Sequence, residues 1–120
     1  MLGNRGEQAV AEWYAAHGFE VVARNWRTKT GEIDLVARSN RLVVLCEVKT
    51  RSSDRFGAPI EAITPLKVRR MRRLAAEWLA EARRSGDLWG GATGVDLRFD
   101  IASVTVIKGG LSVEVIEGVL

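Results

Sequence analysis

The sequence predicts an α/β domain in which a mixed five-stranded sheet is flanked by two helices, in the order αβββαββ. Apolar residues recur at helical spacing in two segments, one near the start of the chain and one after Thr64. The other apolar runs are short and are bounded by Gly, Asn and Ser, which is typical of strands. A chain of 120 residues can form one domain, residues 1–120, with a core that needs no disulfide or structural metal.

The first helix is predicted from Asn4 to about His17. Its inner apolar stripe is Val10, Trp13 and Tyr14. Asn4 and Glu7 have the spacing of a capping box, so Glu7 either caps this helix or supplies a further carboxylate to a metal site. His17 is interpreted as a residue of the helix C-terminus rather than as a base or ligand.

A first strand is predicted at 20–27, and a hairpin then supplies two more strands around a Ser39-Asn40 turn. With this turn Arg38 faces Arg41 and Asp34 faces Leu45. Side chains alternate along a strand, so the face that carries Asp34 also carries Glu47 and Lys49. A three-residue loop would place Asp34 on the opposite face.

The three ionisable residues Asp34, Glu47 and Lys49 are therefore expected to form one cluster. Asp34 and Glu47 become diagonal neighbours, with backbones about 7–8 Å apart, a gap that suits one divalent ion. Oxygen ligands and retained water are what Mg²⁺ prefers, and the Lys49 ammonium could orient a water molecule or neutralise charge on a phosphate. The alternative is a solvated ion-pair cluster on an exposed sheet face.

Apolar residues flank this cluster on both faces of the predicted strands, which weakens the solvated alternative because it indicates a sheet covered on both sides. These residues are Ile33, Leu35, Val36, Val43, Val44, Leu45 and Val48. Cys46 lies within the same run. It has no cysteine partner and no metal-ligand spacing, so it is interpreted as an inert packed thiol.

The second helix is predicted to begin with Thr64 as its N-cap and Pro65 as its first residue. Its inner stripe is Val68, Met71, Leu74, Ala75, Trp78, Leu79 and Ala82. Its early turns carry the basic residues Lys67, Arg69, Arg70, Arg72 and Arg73. Cations at a helix start oppose the helix dipole, so these residues either hold phosphate or form a solvated face.

The remaining segments complete the expected domain. Residues 51–59 read as a polar loop, residues 85–94 as a Gly-rich connection, and residues 97–107 and 111–116 as the last two strands.

The net charge of +3 permits an acidic partner. The sequence shows no apolar signal core and no run long enough to span a bilayer. We therefore expect a cytoplasmic protein with no membrane association and no small-molecule cofactor.

Several short blocks, taken together, resemble the YraN family of small bacterial proteins over nearly the whole chain. The blocks are Gly6-Glu7, Arg24-Asn25-Trp26-Arg27, Gly31-Glu32-Ile33-Asp34-Leu35, Glu47-Val48-Lys49-Thr50-Arg51, Phe56-Gly57-Ala58-Pro59 with Glu61-Ala62, Lys67, and Arg98-Phe99-Asp100. That family is similar to the PD-(D/E)XK nucleases, which have a restriction-endonuclease-like core, and to archaeal Holliday-junction resolvases.

The resemblance implies a role for each acidic residue of the cluster. Asp34 and Glu47 correspond to metal ligands, Lys49 to the catalytic lysine, and Glu7 to the extra acidic residue of the resolvases. Ile33 stands where the superfamily name has proline. We expect Mg²⁺ or Mn²⁺ as the cofactor, with the Val48 carbonyl as a further ligand.

The resemblance and the charge pattern together predict a metal-dependent DNA endonuclease that prefers branched DNA such as a Holliday junction. The residues expected to grip the DNA backbone are Arg51, Arg55, Lys67, Arg69, Arg70, Arg72 and Arg73. Symmetric cleavage of a junction needs two sites, so a homodimer is plausible. The alternatives are a nucleic-acid-binding module that kept a nuclease scaffold, and a protein-interaction domain whose basic helix docks an acidic partner.

Overall fold

The computed structural model describes residues 2–52, 63–86 and 94–120. Its elements are α1 (Leu2–Ala16), β1 (Glu20–Thr28), β2 (Gly31–Ser39), β3 (Leu42–Arg51), α2 (Pro65–Ser85), β4 (Asp96–Ile107) and β5 (Gly110–Ile116). This is the predicted order, and the fold is α/β. No helix in the described ranges combines the length and the apolar character needed to cross a membrane.

The strands form one sheet in the order β1-β2-β3-β4-β5. Neighbouring strands are antiparallel except β3 and β4, which run parallel. A parallel pair cannot be joined by a tight turn, and α2 lies within the connection between these two strands. The sheet is therefore mixed, as the sequence predicts.

Each face of the sheet packs against one helix, so both faces carry a hydrophobic cluster. On the α1 face, Val10 and Tyr14 are fully buried against residues such as Leu35 and Val104. On the α2 face, Leu74 and Trp78 pack against a second set of strand residues. These are Ile33, Val36, Val43 and Leu45. Burial on both faces confirms the interpretation of β2 and β3 as covered strands.

The ends of α2 follow from local sequence chemistry. The Thr64 side chain accepts a hydrogen bond from the backbone N–H of Lys67, and Pro65 is the first helical residue. Gly86 adopts a left-handed conformation with φ of 77°, and its N–H points to the carbonyls of Ala82 and Arg83. The predicted start of this helix is therefore confirmed.

The capping interpretation of Glu7 is wrong. The helix already includes Leu2, so Asn4 lies inside α1 and is not its N-cap. The Glu7 carboxylate instead accepts a hydrogen bond of 3.1 Å from the Asn25 side chain on β1. A tertiary contact thus replaces the local one that the spacing suggested.

The predicted register of the β2–β3 hairpin is wrong by two residues. The turn is formed by residues 40 and 41, so Ser39 pairs with Leu42 and Arg38 pairs with Val43. The predicted register would have set Arg38 against Arg41, and like charges facing each other destabilise a sheet. An even shift preserves the face on which each side chain lies, so Glu47 and Lys49 stay on one face, and Asp34 lines the same cavity as Glu47.

Part of the predicted loop structure lies outside the described residues. β3 continues to Arg51, so the predicted loop begins later than expected. Arg55, the block at 56–59 and Glu61 fall in the gap at 53–62, and most of the Gly-rich connection falls in the gap at 87–93.

Candidate active site

The acidic pair lies where β2 and β3 leave their regular ladder. The last pair in this ladder is Leu35 with Cys46, and Asp34 and Glu47 are the residues that come next beyond it. Both residues line a cavity that α2 covers. The two carboxylates therefore meet at one cavity on the side of the sheet that α2 covers.

Asp34 occupies an unfavourable place for a negative charge. Burial raises the pKa of its carboxyl to about 6, and the charges of Glu7, Glu32 and Glu47 act in the same direction. The backbone N–H of Val48 opposes this by donating a hydrogen bond of 2.8 Å to Oδ2. A bound cation would stabilise a carboxylate whose charged form is disfavoured by burial and by neighbouring negative charges. Carboxyl groups with a shifted pKa are frequent at functional sites.

The Glu47 carboxylate forms ion pairs with two lysines. The Lys67 ammonium donates to its Oε2 at 2.7 Å, and the Lys49 ammonium lies 3.4 Å from the same oxygen. Lys49 follows two residues after Glu47, so strand alternation alone brings the two together. Lys67 reaches the site from the first turn of α2.

Glu7 approaches the site from α1. Gly6 packs so closely on Thr50 of β3 that a Cβ atom at residue 6 would clash with the threonine hydroxyl. This close contact places the next residue, Glu7, near enough to Asp34 to raise its pKa. Asn25, which binds Glu7, has a positive φ of 51°, a conformation that asparagine tolerates. Asn25 was predicted only as part of a family block, without a role of its own, and its left-handed conformation is one that asparagine adopts more readily than most residues.

A small cavity separates the acidic pair from α2. Its volume is about 30 Å³, which exceeds the roughly 10–15 Å³ needed to admit one water molecule. The residues that line it are Glu32, Ile33, Asp34, Leu45, Cys46, Glu47, Met71, Leu74 and Phe99. Two carboxylates therefore border a space of about the size of a single small ligand.

These residues fit a metal ion bound by two carboxylates, as Mg²⁺ often is, with water and phosphate oxygens as its other ligands. Within residues 2–52, 63–86 and 94–120, no group of three or more His, Cys, Asp or Glu side chains is placed to hold a metal. A site in which Glu7 joins Asp34 and Glu47 as a direct ligand therefore needs a side-chain movement. The Val48 carbonyl as a ligand stays a prediction.

A basic groove lies beside the start of α2. Its volume is about 540 Å³, and Lys29 and Thr30 of the β1–β2 turn form one wall. The other wall is Leu66, Arg69, Arg70 and Arg73. The hydroxyls of Thr28 and Thr30 donate to Glu77 at 2.7 and 2.8 Å, which fixes the turn against α2. The basic pattern of α2 predicted the helix arginines, whereas no local pattern singled out Lys29 in the β1–β2 turn.

The remaining residues predicted to contact DNA lie in different surroundings. Arg72 is exposed on α2, and Arg51 is half-buried at the end of β3. Lys67 is bound to Glu47, and Arg55 lies outside the described residues. Their contacts with DNA stay predictions.

A second buried carboxylate, Asp100 on β4, has a structural environment. It accepts hydrogen bonds from the Tyr14 hydroxyl at 2.6 Å, from two nitrogens of Arg98 at 2.9 Å, and from the N–H of Gly118. The Arg98 guanidinium supplies the compensating charge. Asp100 thus joins α1, β4 and the segment after β5, and it lies on the α1 face, away from the face of Glu47.

Cys46 and His17 have the places predicted for them. Cys46 is buried, and burial raises the pKa of its thiol to about 12, so it stays protonated and unreactive. His17 follows the last residue of α1, where its ring stacks on Trp13.

Comparison with known proteins gives one consistent family. The model of UPF0102, an uncharacterised protein family, matches residues 6–104. A UPF0102 protein of Beutenbergia cavernae is 46% identical over 119 residues, which cover 98% of this chain and 94% of that protein. One from Acidothermus cellulolyticus is 41% identical over 120 residues, covering 98% and 91%.

A shorter match has higher identity. The UPF0102 protein of Leifsonia xyli is 53% identical over 77 residues, which cover 64% of this chain and 65% of that protein. The family model and the two long matches span the strands that carry Asp34, Glu47 and Lys49. The chain therefore belongs to the UPF0102 family, which is the YraN family that the sequence blocks resemble.

Proposed function

We propose that this protein is a metal-dependent endonuclease that hydrolyses phosphodiester bonds in DNA, with branched DNA as its substrate. The observation that carries the proposal is the group formed by Asp34, Glu47 and Lys49 on the α2 face of the sheet. Two carboxylates that can hold a metal ion and a lysine that can stabilise phosphate charge, beside a basic groove, support hydrolysis of a phosphodiester.

The proposed roles follow from the surroundings of each residue. Asp34 and Glu47 would hold the ion, and the N–H of Val48 keeps one oxygen of Asp34 in place. The ion supplies Lewis-acid stabilisation of the phosphate and lowers the pKa of bound water. Lys49 is about one-third exposed, so its ammonium can reach a substrate phosphate or orient the attacking water.

The basic groove supports the choice of a nucleic acid as the substrate. Lys29, Arg69 and Arg70 can contact phosphates, and phosphate contacts position a nucleic acid without reading its bases. Recognition would then depend on the path of the DNA backbone. This path differs between duplex DNA and branched DNA. Cleavage of both strands of a junction would require two copies of the chain, so a homodimer is part of the proposal.

One observation favours a second candidate, a nucleic-acid-binding module without catalysis. Glu47 is already neutralised by Lys67 and Lys49, and a balanced ion-pair cluster can be purely structural. The two candidates share the basic groove, and they differ in whether Lys49 takes part in chemistry.

The test is a cleavage assay with labelled duplex, single-stranded, flap and four-way DNA, each with Mg²⁺, Mn²⁺ or chelator. Lys49→Ala removes the proposed catalytic ammonium and leaves Asp34 and Glu47 unchanged. We expect this variant to bind DNA like the parent and to cleave at least about 10²-fold more slowly, the loss typical of one transition-state contact. Lys108→Ala, at an exposed lysine in the β4–β5 turn, is the matched control and should cleave within twofold of the parent, on the order of assay error.

Two results would contradict the proposal. Equal cleavage by the parent and by Lys49→Ala would remove Lys49 from the mechanism. A parent that binds branched DNA but cleaves none of the substrates with either metal would favour the binding module.

A further inference from the structure

The contact between Lys67 and Glu47 differs from the other ion pairs of α2. Lys67 is the third residue of the helix, and its N–H is fixed by the Thr64 cap. Its side chain is only 13% exposed, whereas Arg73, which pairs with Glu77 on the same helix, is 74% exposed. An ammonium held this far out of water at 2.7 Å from a carboxylate is a defined contact rather than a mobile surface pair.

The position of Lys67 is unfavourable without Glu47. A cation in the first turn of a helix lies at the positive end of the helix dipole. Glu47 supplies the compensating charge, and its Oε2 is the atom that both Lys67 and Lys49 approach. Glu47 thus has two ammonium partners, and within the described residues the ion pairs of both lysines are with Glu47 rather than with Asp34.

We propose that Lys67 is the resident counter-cation of the candidate metal site, and that a divalent ion must displace it from Glu47. The inference rests on the proposed function, because it concerns the same carboxylate pair. A divalent ion bound at Oε2 would share that atom with the Lys67 ammonium, which occupies it at 2.7 Å, whereas the Lys49 ammonium lies farther away at 3.4 Å. Repulsion is strongest at the shorter distance, so binding of the ion at this oxygen requires the Lys67 ammonium to move away.

Displacement would couple the metal site to the basic groove. The freed ammonium would belong to the same helix end as Arg69 and Arg70, which line the groove. Occupation of the site by an ion would thereby add a cation to the surface proposed to hold phosphates. Lys67 is thus a positioning residue whose partner changes with the state of the site.

The first test is calorimetric titration of Mn²⁺ into the parent, Lys67→Met and Lys67→Gln. Both variants remove the competing charge and keep a side chain of similar length. We expect them to bind Mn²⁺ about tenfold more tightly than the parent, a difference of about 1.4 kcal/mol. Arg83→Met removes one exposed cation from the far end of α2, and it should leave the affinity within about twofold of the parent value. Adding Glu47→Gln to Lys67→Met should abolish the gain.

The outcomes separate this inference from the proposed function. If the parent binds Mn²⁺ and the Lys67 variants bind it equally or more weakly, the inference is overturned while the metal site stands. If neither the parent nor any Lys67 variant binds the ion, both are overturned.

A second measurement uses the unmodified chain and so does not depend on the folding of a variant. Acetylation of lysine amines is followed by mass spectrometry with and without Mn²⁺, with Lys108 as the internal reference. Displacement predicts that Mn²⁺ increases the acetylation rate of Lys67 relative to Lys108. A decrease or no change under conditions where calorimetry shows binding would overturn the inference.

Discussion

Two aspartates in this molecule show how surroundings decide the role of a buried carboxylate. Asp100 is fully buried, but an arginine and two further donor groups satisfy it. Asp34 has the Val48 N–H as its hydrogen-bond donor and lies near three other acidic residues. The first arrangement stabilises the fold, and the second leaves unfavourable energy that a bound cation could remove.

The raised pKa of Asp34 predicts how stability depends on pH. Its pKa is about 6 in the folded protein and lower in the unfolded chain, so between these values the folded state binds more protons. The contribution of Asp34 to stability therefore falls as pH rises through this range. The unfavourable energy is fully present above pH 6 or so and is absent below about pH 4.

Asp34→Asn should consequently stabilise the protein at pH 7.5 in the presence of chelator and have little effect near pH 4. Asparagine keeps an oxygen that can accept from the Val48 N–H. After discounting for solvent screening of a half-buried group, we expect a gain of about 1 kcal/mol. Urea denaturation at both pH values measures it.

The matched substitution Asp96→Asn, at an exposed carboxylate at the start of β4, controls for the change of side chain. A difference between parent and Asp34→Asn that does not vary with pH would contradict the assignment of the raised pKa to Asp34.

Among the elements, α2 combines two functions on opposite faces. Leu74 and Trp78 bury one side against the sheet, while Arg69 and Arg70 are exposed and line the basic groove. The helix also delivers Lys67 to Glu47. Its early turns are therefore expected to bind phosphate, while its last turn, with Arg83 and Arg84, lies at the far end of the helix.

Neutralising the two groove arginines should weaken DNA binding independently of sequence. For Arg69→Gln/Arg70→Gln, we expect the slope of log affinity against log salt to decrease by about one unit for each lost phosphate contact. The control Arg83→Gln/Lys108→Gln makes the same charge change at two exposed residues that do not line the groove, and it should retain the parental slope. Binding measured by fluorescence anisotropy over a range of salt concentrations gives both slopes.

An equal loss of slope in both double variants would mean that the helix acts only through net charge. The groove would then have no specific role in holding the backbone.

At the scale of the whole molecule, the parts that the sequence predicted well are those set by local chemistry. Thr64 and Pro65 define the start of α2 because a cap and a fixed φ act within a few residues. Alternation along β3 correctly placed Glu47 and Lys49 on one face. The short sequence motifs, which occur along the chain in the order typical of the family, predicted family membership, and the family model confirms it.

The parts that were wrong or missed depend on contacts between distant segments. Residues 39–40 and 40–41 both offer a plausible two-residue turn, and only the pairing of the flanking strands distinguishes them. Spacing made Glu7 resemble a cap, but its partner is Asn25 on another strand. The contact of Lys67 with Glu47 depends on where α2 lies on the sheet, which no local pattern specifies.

The parallel pairing of β3 with β4 has a consequence for the folding pathway. β1, β2 and β3 form a meander of sequence neighbours, and β4 and β5 form a separate hairpin. Within the described residues, the backbone pairing between the two units is the parallel ladder that starts where Leu42 pairs with Asp96. Closing such a long connection costs more chain entropy than closing a hairpin, so we expect this step to be the slower one.

Two buried valines provide a matched test of this expectation. Val36 lies in the meander and Val104 in β4, and both are fully buried. Val36→Ala should give a φ-value above about 0.5 and Val104→Ala one below about 0.3, measured from folding and unfolding rates. The reverse order would mean that the parallel pair forms first.

If the meander forms first, Asp34, Glu47 and Lys49 are brought together before the rest of the sheet is complete, since all three lie on β2 and β3. Lys67 would reach them only when α2 packs and the parallel pair closes. In the folding transition state, Asp34 and Glu47 would then lie together without the Lys67 ammonium as a counter-charge. The site would be complete only after α2 has packed on the sheet.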